Sequence, residues 1–170
     1  MKSRAVIGNH PIHPMLIPFP IAFLTGSVAF DIASRVLSSE SLYTTAGHCM
    51  IAGVVMGLLA AIPGVIDFTS IVPENSAAKD KATYHIIVNT VALISFLVAF
   101  LARPPFAARN FITVLPAYGG FLFLTVGGWL GGSLVYEEKV GVDEGLPQRT
   151  ETIRPPWDEP SSDLGAYPHH

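Results

Sequence analysis

The sequence is poor in charged residues and in cysteine. Only 14% of its 170 residues are Asp, Glu, Lys or Arg, whereas about a quarter are charged in an average soluble domain. An ordinary soluble enzyme is therefore disfavoured. The single cysteine, Cys49, excludes an internal disulfide and a metal site built from several cysteines. The chain has no basic stripe, which excludes a nucleic-acid partner.

Recognisable catalytic motifs are also absent. No H-E-x-x-H motif, Ser-His-Asp arrangement or phosphate-binding loop can be identified. Hydrolysis and nucleotide chemistry therefore have no residues to carry them, and we do not expect the chain to be an enzyme on its own.

The main feature of the sequence is a set of four long apolar runs. Each has about the 20 residues that a helix needs to cross the hydrocarbon core, and Val91–Ala102 has almost no polar face. We therefore predict an all-α, four-helix transmembrane bundle with both termini on one side. The runs cover about residues 15–37, 43–66, 84–102 and 111–136. Bases near the membrane number five on the amino side and three opposite, so the side that the termini face stays open.

Two polar segments flank this membrane domain of residues 15–136. Residues 1–14 contain two His-Pro pairs, which predict a short extended segment. Residues 137–170 hold eight acids against three bases and many prolines, which predicts an extended acidic tail. Within the tail, Thr152–Pro160 pairs a polyproline turn with Trp157, and we expect it to clamp a partner protein. A solvating, unbound tail is the alternative.

Ionisable side chains inside membrane spans are costly, so each one is a candidate site. On the amino side, polyproline geometry predicts that His10 and His13 project from one edge of the extended segment. His85 and Asn89 share one helical face at the same depth, close to Asp67. Three histidines at one depth predict ligands for a transition metal or a haem iron, with Asp67 or Asn89 as partner to an imidazole N–H. Interfacial histidines without a cofactor are the alternative.

A second polar group lies toward the opposite side. Asp31 has Arg35 four residues later, which predicts an ion pair within the helix. His48 has no charged neighbour on its own helix. It is therefore expected either to donate to Asp31 across the bundle or to hold a cofactor.

Glycines spaced four apart form the other pattern. Such spacing lets membrane helices approach closely, and it can also seat a flat macrocycle, although helix packing is the commoner use. The second span contributes Gly53 and Gly57, and the fourth contributes Gly127, Gly128, Gly131 and Gly132.

The string Asn9-His10-Pro11-Ile12-His13-Pro14 resembles the opening of a bacterial membrane family catalogued as domain of unknown function 2231. The likeness continues with Phe30-Asp31, Pro63-Gly64-Val65-Ile66-Asp67, His85 with Asn89, and Gly131 to Tyr136, and it covers about residues 8–142. Asn9 stands where the family often has Gly. The resemblance implies a four-span module of the bacterial inner membrane without an assigned reaction. Some members are fused to Rieske or cytochrome c domains, which implies that the module works with electron-transfer proteins.

The leading interpretation is a small integral membrane subunit that binds a redox cofactor within an electron-transfer assembly of several membrane protein subunits. The cofactor is expected to be a b-type haem or a metal ion held by His13 and His85, with His10 and His48 as further candidates. One alternative is a cofactor-free accessory or structural subunit. A transporter or proton conduit using His48 and Asp31 is disfavoured, because no inverted half-repeat is present.

Overall fold

The computed structural model describes residues 2–8 and 10–142. The predicted acidic tail beyond residue 142, including Thr152–Pro160, lies outside the described residues. A two-residue antiparallel pair of strands precedes five helices. These elements are β1 (Val6–Ile7), β2 (His10–Pro11), α1 (Ile12–Leu16), α2 (Pro18–Val36), α3 (Glu40–Ser70), α4 (Ala77–Leu101) and α5 (Leu115–Tyr136), with short 3₁₀ turns at Phe106–Ala108 and Ile112–Val114 between α4 and α5.

The prediction of a four-helix transmembrane bundle is confirmed. Four helical segments are long and apolar enough to cross a membrane. The first span joins α1 and α2, the second is α3, the third is α4, and the fourth joins the second 3₁₀ turn and α5; their bounds are Ile12–Val36, Glu40–Ser70, Ala77–Leu101 and Ile112–Tyr136. Each span packs against the next along the chain, and the fourth also packs against the first. The spans are therefore ordered cyclically, with the first and third across a diagonal.

The first span begins earlier than the sequence predicts. The extended conformation ends at Pro11, and His13 already lies in helix α1, so the prediction that His10 and His13 lie along one extended edge is wrong. The reason is the position of Pro14 in the first turn of the helix. A backbone N–H there has no partner within the helix, so proline costs nothing at that position.

The polar connection between the second and third spans is mostly helical. The second predicted apolar run ends at residue 66 and the third begins at residue 84, but α3 continues to Ser70 and α4 begins at Ala77. The Ser76 hydroxyl caps α4 by accepting the N–H of Lys79, and Asp80 lies in the first turn, where the helix dipole favours a negative charge. The polar residues between the two apolar runs therefore mark where the helices leave the lipid. The helices themselves extend beyond that point.

In the bundle core, small residues of one span pack against large side chains of another. Its buried cluster includes Leu24, Val28, Met50, Val54, Phe96, Ala99, Val114 and Ala117. A Cβ added at Gly53 would lie 2.5 Å from Leu24, and one added at Gly57 would lie 2.6 Å from Leu93. Gly53 and Gly57 therefore let a leucine of a neighbouring span approach α3 more closely than it could if either position had a side chain.

Candidate histidine site

The structure brings His13 and His85 together inside the bundle. Their imidazole centroids are 6.5 Å apart, and the ring planes cross at 84°. His13 is the second residue of the first span, and His85 is the ninth residue of α4. At 1.5 Å per residue, His85 lies about 12 Å along the third span from its amino-side end. The pair therefore lies nearer the amino-side end of the bundle than the opposite end.

Each imidazole is held through one ring nitrogen by the backbone of a neighbouring helix. His13 Nδ1 lies 2.7 Å from the carbonyl oxygen of Ala60 in α3, and His85 Nδ1 lies 2.9 Å from that of Gly127 in α5. A carbonyl oxygen only accepts, so both Nδ1 atoms donate a proton. In the neutral rings, both Nε2 atoms then carry the lone pair.

Local sequence explains how α3 receives His13. Pro63 lies inside the helix and lacks the N–H that would bond the carbonyl of Leu59, so it does not free the carbonyl of Ala60. Gly64 then leaves room for the ring, because a Cβ at that position would lie 2.9 Å from His13 Nδ1. Gly64 thus supplies the space through which the ring reaches the Ala60 carbonyl.

Helix α5 receives His85 and Asn89 in the same way. A Cβ at Gly131 would lie 3.0 Å from His85 Cε1, and one at Gly127 would lie 2.5 Å from Asn89 Oδ1. Asn89 Nδ2 donates to the carbonyl of His85 at 2.8 Å and lies 3.4 Å from His85 Nε2. Asn89 therefore fixes the turn that carries His85 and lies beside the ring.

The other amino-side candidates are not part of this pair. His10 lies exposed in the strand pair, opposite Ile7. The buried carboxylate of Asp67 accepts the Ser3 hydroxyl at 2.7 Å and the backbone N–H groups of Arg4 and Ala5 at 3.0 and 3.4 Å. Asp67 thus anchors the chain before β1, and within residues 2–8 and 10–142 its hydrogen bonds do not go to an imidazole.

At the opposite end, Asp31 is fully buried and paired. Its carboxylate accepts Arg35 Nε at 2.7 Å, Arg103 Nη2 at 3.2 Å and the Tyr118 hydroxyl at 3.0 Å. The expected Asp31–Arg35 ion pair is present. The side chain of His48 is exposed on α3 and is not among the groups that contact this carboxylate in the described part of the chain.

The glycines of α5 divide between an inner and an outer face. Gly127 and Gly131 face Asn89 and His85, whereas a Cβ at Gly128 or Gly132 would have no neighbour within 4 Å. The inner groove is thus filled by the side chains of Asn89 and His85.

The centroid spacing of the pair would suit an iron held by two imidazoles. A metal–nitrogen bond of about 2 Å and a ring radius of about 1 Å place two such imidazole centroids roughly 6 Å apart. The Nδ1–carbonyl bonds are the usual support of a metal-binding imidazole. A metal ion outside a macrocycle usually takes more protein ligands. Within residues 2–8 and 10–142, no group of three His, Cys, Asp or Glu is close enough to hold one.

Some groups that take part in these two sites could not be recognised from the sequence. Ser3 and Arg103 reach acidic residues 64 and 72 positions away in the chain. The carbonyls of Ala60 and Gly127 are backbone groups, and only the glycines beside them mark where a ring could approach.

A family described as "Predicted membrane protein (DUF2231)" matches residues 9–144. The matched region includes both histidines of the pair. No curated protein and no solved structure matches the chain.

Proposed function

The chain belongs to the DUF2231 family of predicted membrane proteins, and we propose that it is a membrane subunit that holds a redox-active iron through His13 and His85. The group proposed is a b-type haem, which would supply one-electron transfer when bound. A single observation carries the proposal. Two imidazoles from different spans converge at 6.5 Å while each donates its Nδ1 proton to a helix carbonyl.

The residues around the pair support this role. The Ala60 and Gly127 carbonyls keep both rings in the tautomer that leaves Nε2 with its lone pair. Residues of all four spans meet at the two rings, which are half-buried. Because the site lies toward the amino-side end, an electron-transfer partner would dock on that face. The resemblance to a family with Rieske and cytochrome c fusions agrees with such a partner.

A four-variant alanine series tests the proposal. Protein purified in mild detergent is titrated with haemin, and separately with Cu²⁺ and Zn²⁺, and binding is followed by absorption spectra and bound-metal analysis. We expect His13→Ala and His85→Ala each to abolish tight, two-imidazole haem ligation. The exposed residues His10 and His48 provide matched controls, and their alanine variants should bind as the wild type does.

Three outcomes are decisive. Haem ligation that depends on both His13 and His85 supports the proposal. Tight binding of a metal ion alone, lost in the same two variants, keeps the site and replaces haem by that ion. Equal binding by all four variants, or no binding by the wild type, overturns the proposal in favour of a cofactor-free accessory subunit.

A further inference from the structure

A cluster of arginines and aromatic rings surrounds Asp31 at the end of the bundle opposite the histidine pair. Arg103 stacks on Tyr43 with its guanidinium carbon 3.6 Å from the ring centre, and Arg109 stacks on Phe106 at 3.9 Å. The rings of Tyr43 and Phe106 are themselves 5.7 Å apart. The members of this arginine–aromatic cluster are Asp31, Arg35, Tyr43, Arg103, Phe106, Arg109, Phe111 and Tyr118.

The cluster has more positive than negative charge. It contains three arginines and one carboxylate, that of Asp31, which already serves both Arg35 and Arg103. The guanidinium of Arg109 contacts the Phe106 ring and carbonyl and faces no acid in the described part of the chain. Partly buried cations without a counter-charge are costly. An external anion would therefore lower the free energy of this end of the protein.

The two ends of the bundle differ in this respect. Within residues 2–8 and 10–142, the amino-side end has five bases and five acids, whereas the opposite end has three bases and two acids. On the amino side, Lys81 pairs with Glu137 and Glu138, and Lys79 pairs with Glu74. The positive surplus is thus specific to the arginine–aromatic cluster.

The position of the cluster identifies the anion as part of a lipid. Arg35 is the last residue but one of the first span, Arg103 follows the third span, and Arg109 precedes the fourth. All three arginines therefore lie where phospholipid headgroups meet the hydrocarbon. Exposed apolar side chains flank them, with Val36 77% and Ile112 76% exposed. A soluble anion would not use that apolar surface, whereas acyl chains would cover it.

We propose that the arginine–aromatic cluster binds the phosphate group of an anionic phospholipid, with the acyl chains against the neighbouring apolar surface. Arginine suits this role because its planar fork donates several hydrogen bonds to phosphate oxygens. The proposal is independent of the histidine pair, which lies toward the other end of the spans.

Binding of phosphatidylglycerol to the purified protein, measured by native mass spectrometry during a titration, tests the proposal. The informative variant is Arg109→Gln, which removes one cation without touching Asp31. We expect it to weaken phosphatidylglycerol binding about fivefold, the factor for one arginine near a charged headgroup. Arg4→Gln removes an exposed cation from the amino-side end and is the matched control, with no expected change. Unchanged thermal unfolding of both variants shows that they fold.

Each other outcome overturns the proposal. Phosphatidylcholine binding as tight as phosphatidylglycerol binding would remove the role of charge. An equal loss in both variants would place the lipid elsewhere. Displacement of the lipid by inorganic phosphate at the same concentration would make this a site for a soluble anion.

Discussion

His13 and His85 come from spans that lie across the diagonal of the bundle, and yet their imidazole centroids are only 6.5 Å apart. They meet because neighbouring helices offer glycines at the two points where the rings approach. Gly64 lies beside His13, and Gly131 lies beside His85. The glycine spacing of this chain therefore serves the histidines as well as the contacts between helices.

Gly64→Ala is expected to displace the ring of His13. The added methyl would lie 2.9 Å from Nδ1, so the ring must move and lose its 2.7 Å bond to the Ala60 carbonyl. In histidine-labelled protein, the slowly exchanging Nδ1 proton signal of His13 should disappear from the NMR spectrum. Gly128→Ala is the control, since its methyl would meet no atom within 4 Å. An intact signal in Gly64→Ala would contradict this geometry.

Asp31→Ala should destabilise the bundle by about 3–5 kcal/mol, because it leaves buried arginine charge without its partner. The Asp31 side chain is 1% exposed and that of Arg103 is 11% exposed. Chemical or thermal unfolding in detergent measures the change. The matched control is Glu74→Ala, which removes an exposed carboxylate from its ion pair with Lys79 and should cost less than about 1 kcal/mol. Equal losses in both variants would show that the Asp31 network is not structural.

Asp67→Ala should release the chain that precedes β1. The carboxylate holds the backbone N–H groups of Arg4 and Ala5, and hydrogen bonds to a charged group contribute about 1.5–3 kcal/mol each. Hydrogen exchange at these two amides should accelerate strongly. Ser3→Ala removes the hydroxyl alone and should accelerate them less, since both N–H bonds remain. Unchanged exchange in Asp67→Ala would mean that another contact anchors this segment.

Glu137 is expected to keep its charge in mildly acidic solution. Its hydrogen bond and ion pair with Lys81 hold the pKa of this carboxyl below its ordinary value of 4.5. A depressed carboxyl pKa stabilises the folded state above the unfolded-state pKa, and that contribution is lost as the pH falls through the folded-state pKa. A carbon-detected NMR titration of Glu137 should therefore find its midpoint below 4.5. In Lys81→Gln the midpoint should rise, and an unchanged midpoint would show that Lys81 is not its cause.

The four spans could be predicted because an apolar run of this length can satisfy its backbone hydrogen bonds within lipid by forming a helix. Convergence of His13 with His85 followed from their common depth. The roles of His48 and Asp67 did not follow, for physical reasons. Helix α3 is apolar on every side, so its sequence does not tell which face His48 occupies. Asp67 is satisfied by Ser3 and backbone N–H groups, and nothing in a sequence distinguishes such partners from any other serine or amide.

The contact of Arg103 with Asp31 also could not be predicted from the sequence. Arg103 follows the third span and Asp31 lies near the end of the first, so the contact depends on how the helices are arranged. A single sequence provides the spans and their depth, but it does not provide the rotation of each helix about its axis.

The most direct test of the central claim is the reduced-minus-oxidised absorption spectrum of the protein purified from cells that make haem, recorded beside that of His85→Ala. Our account predicts the sharp bands of a haem iron with two imidazole ligands in the wild type. It predicts the loss of those bands in His85→Ala, which should still insert in the membrane. A wild-type protein without haem or bound metal, or a variant that retains the same bands, would contradict it.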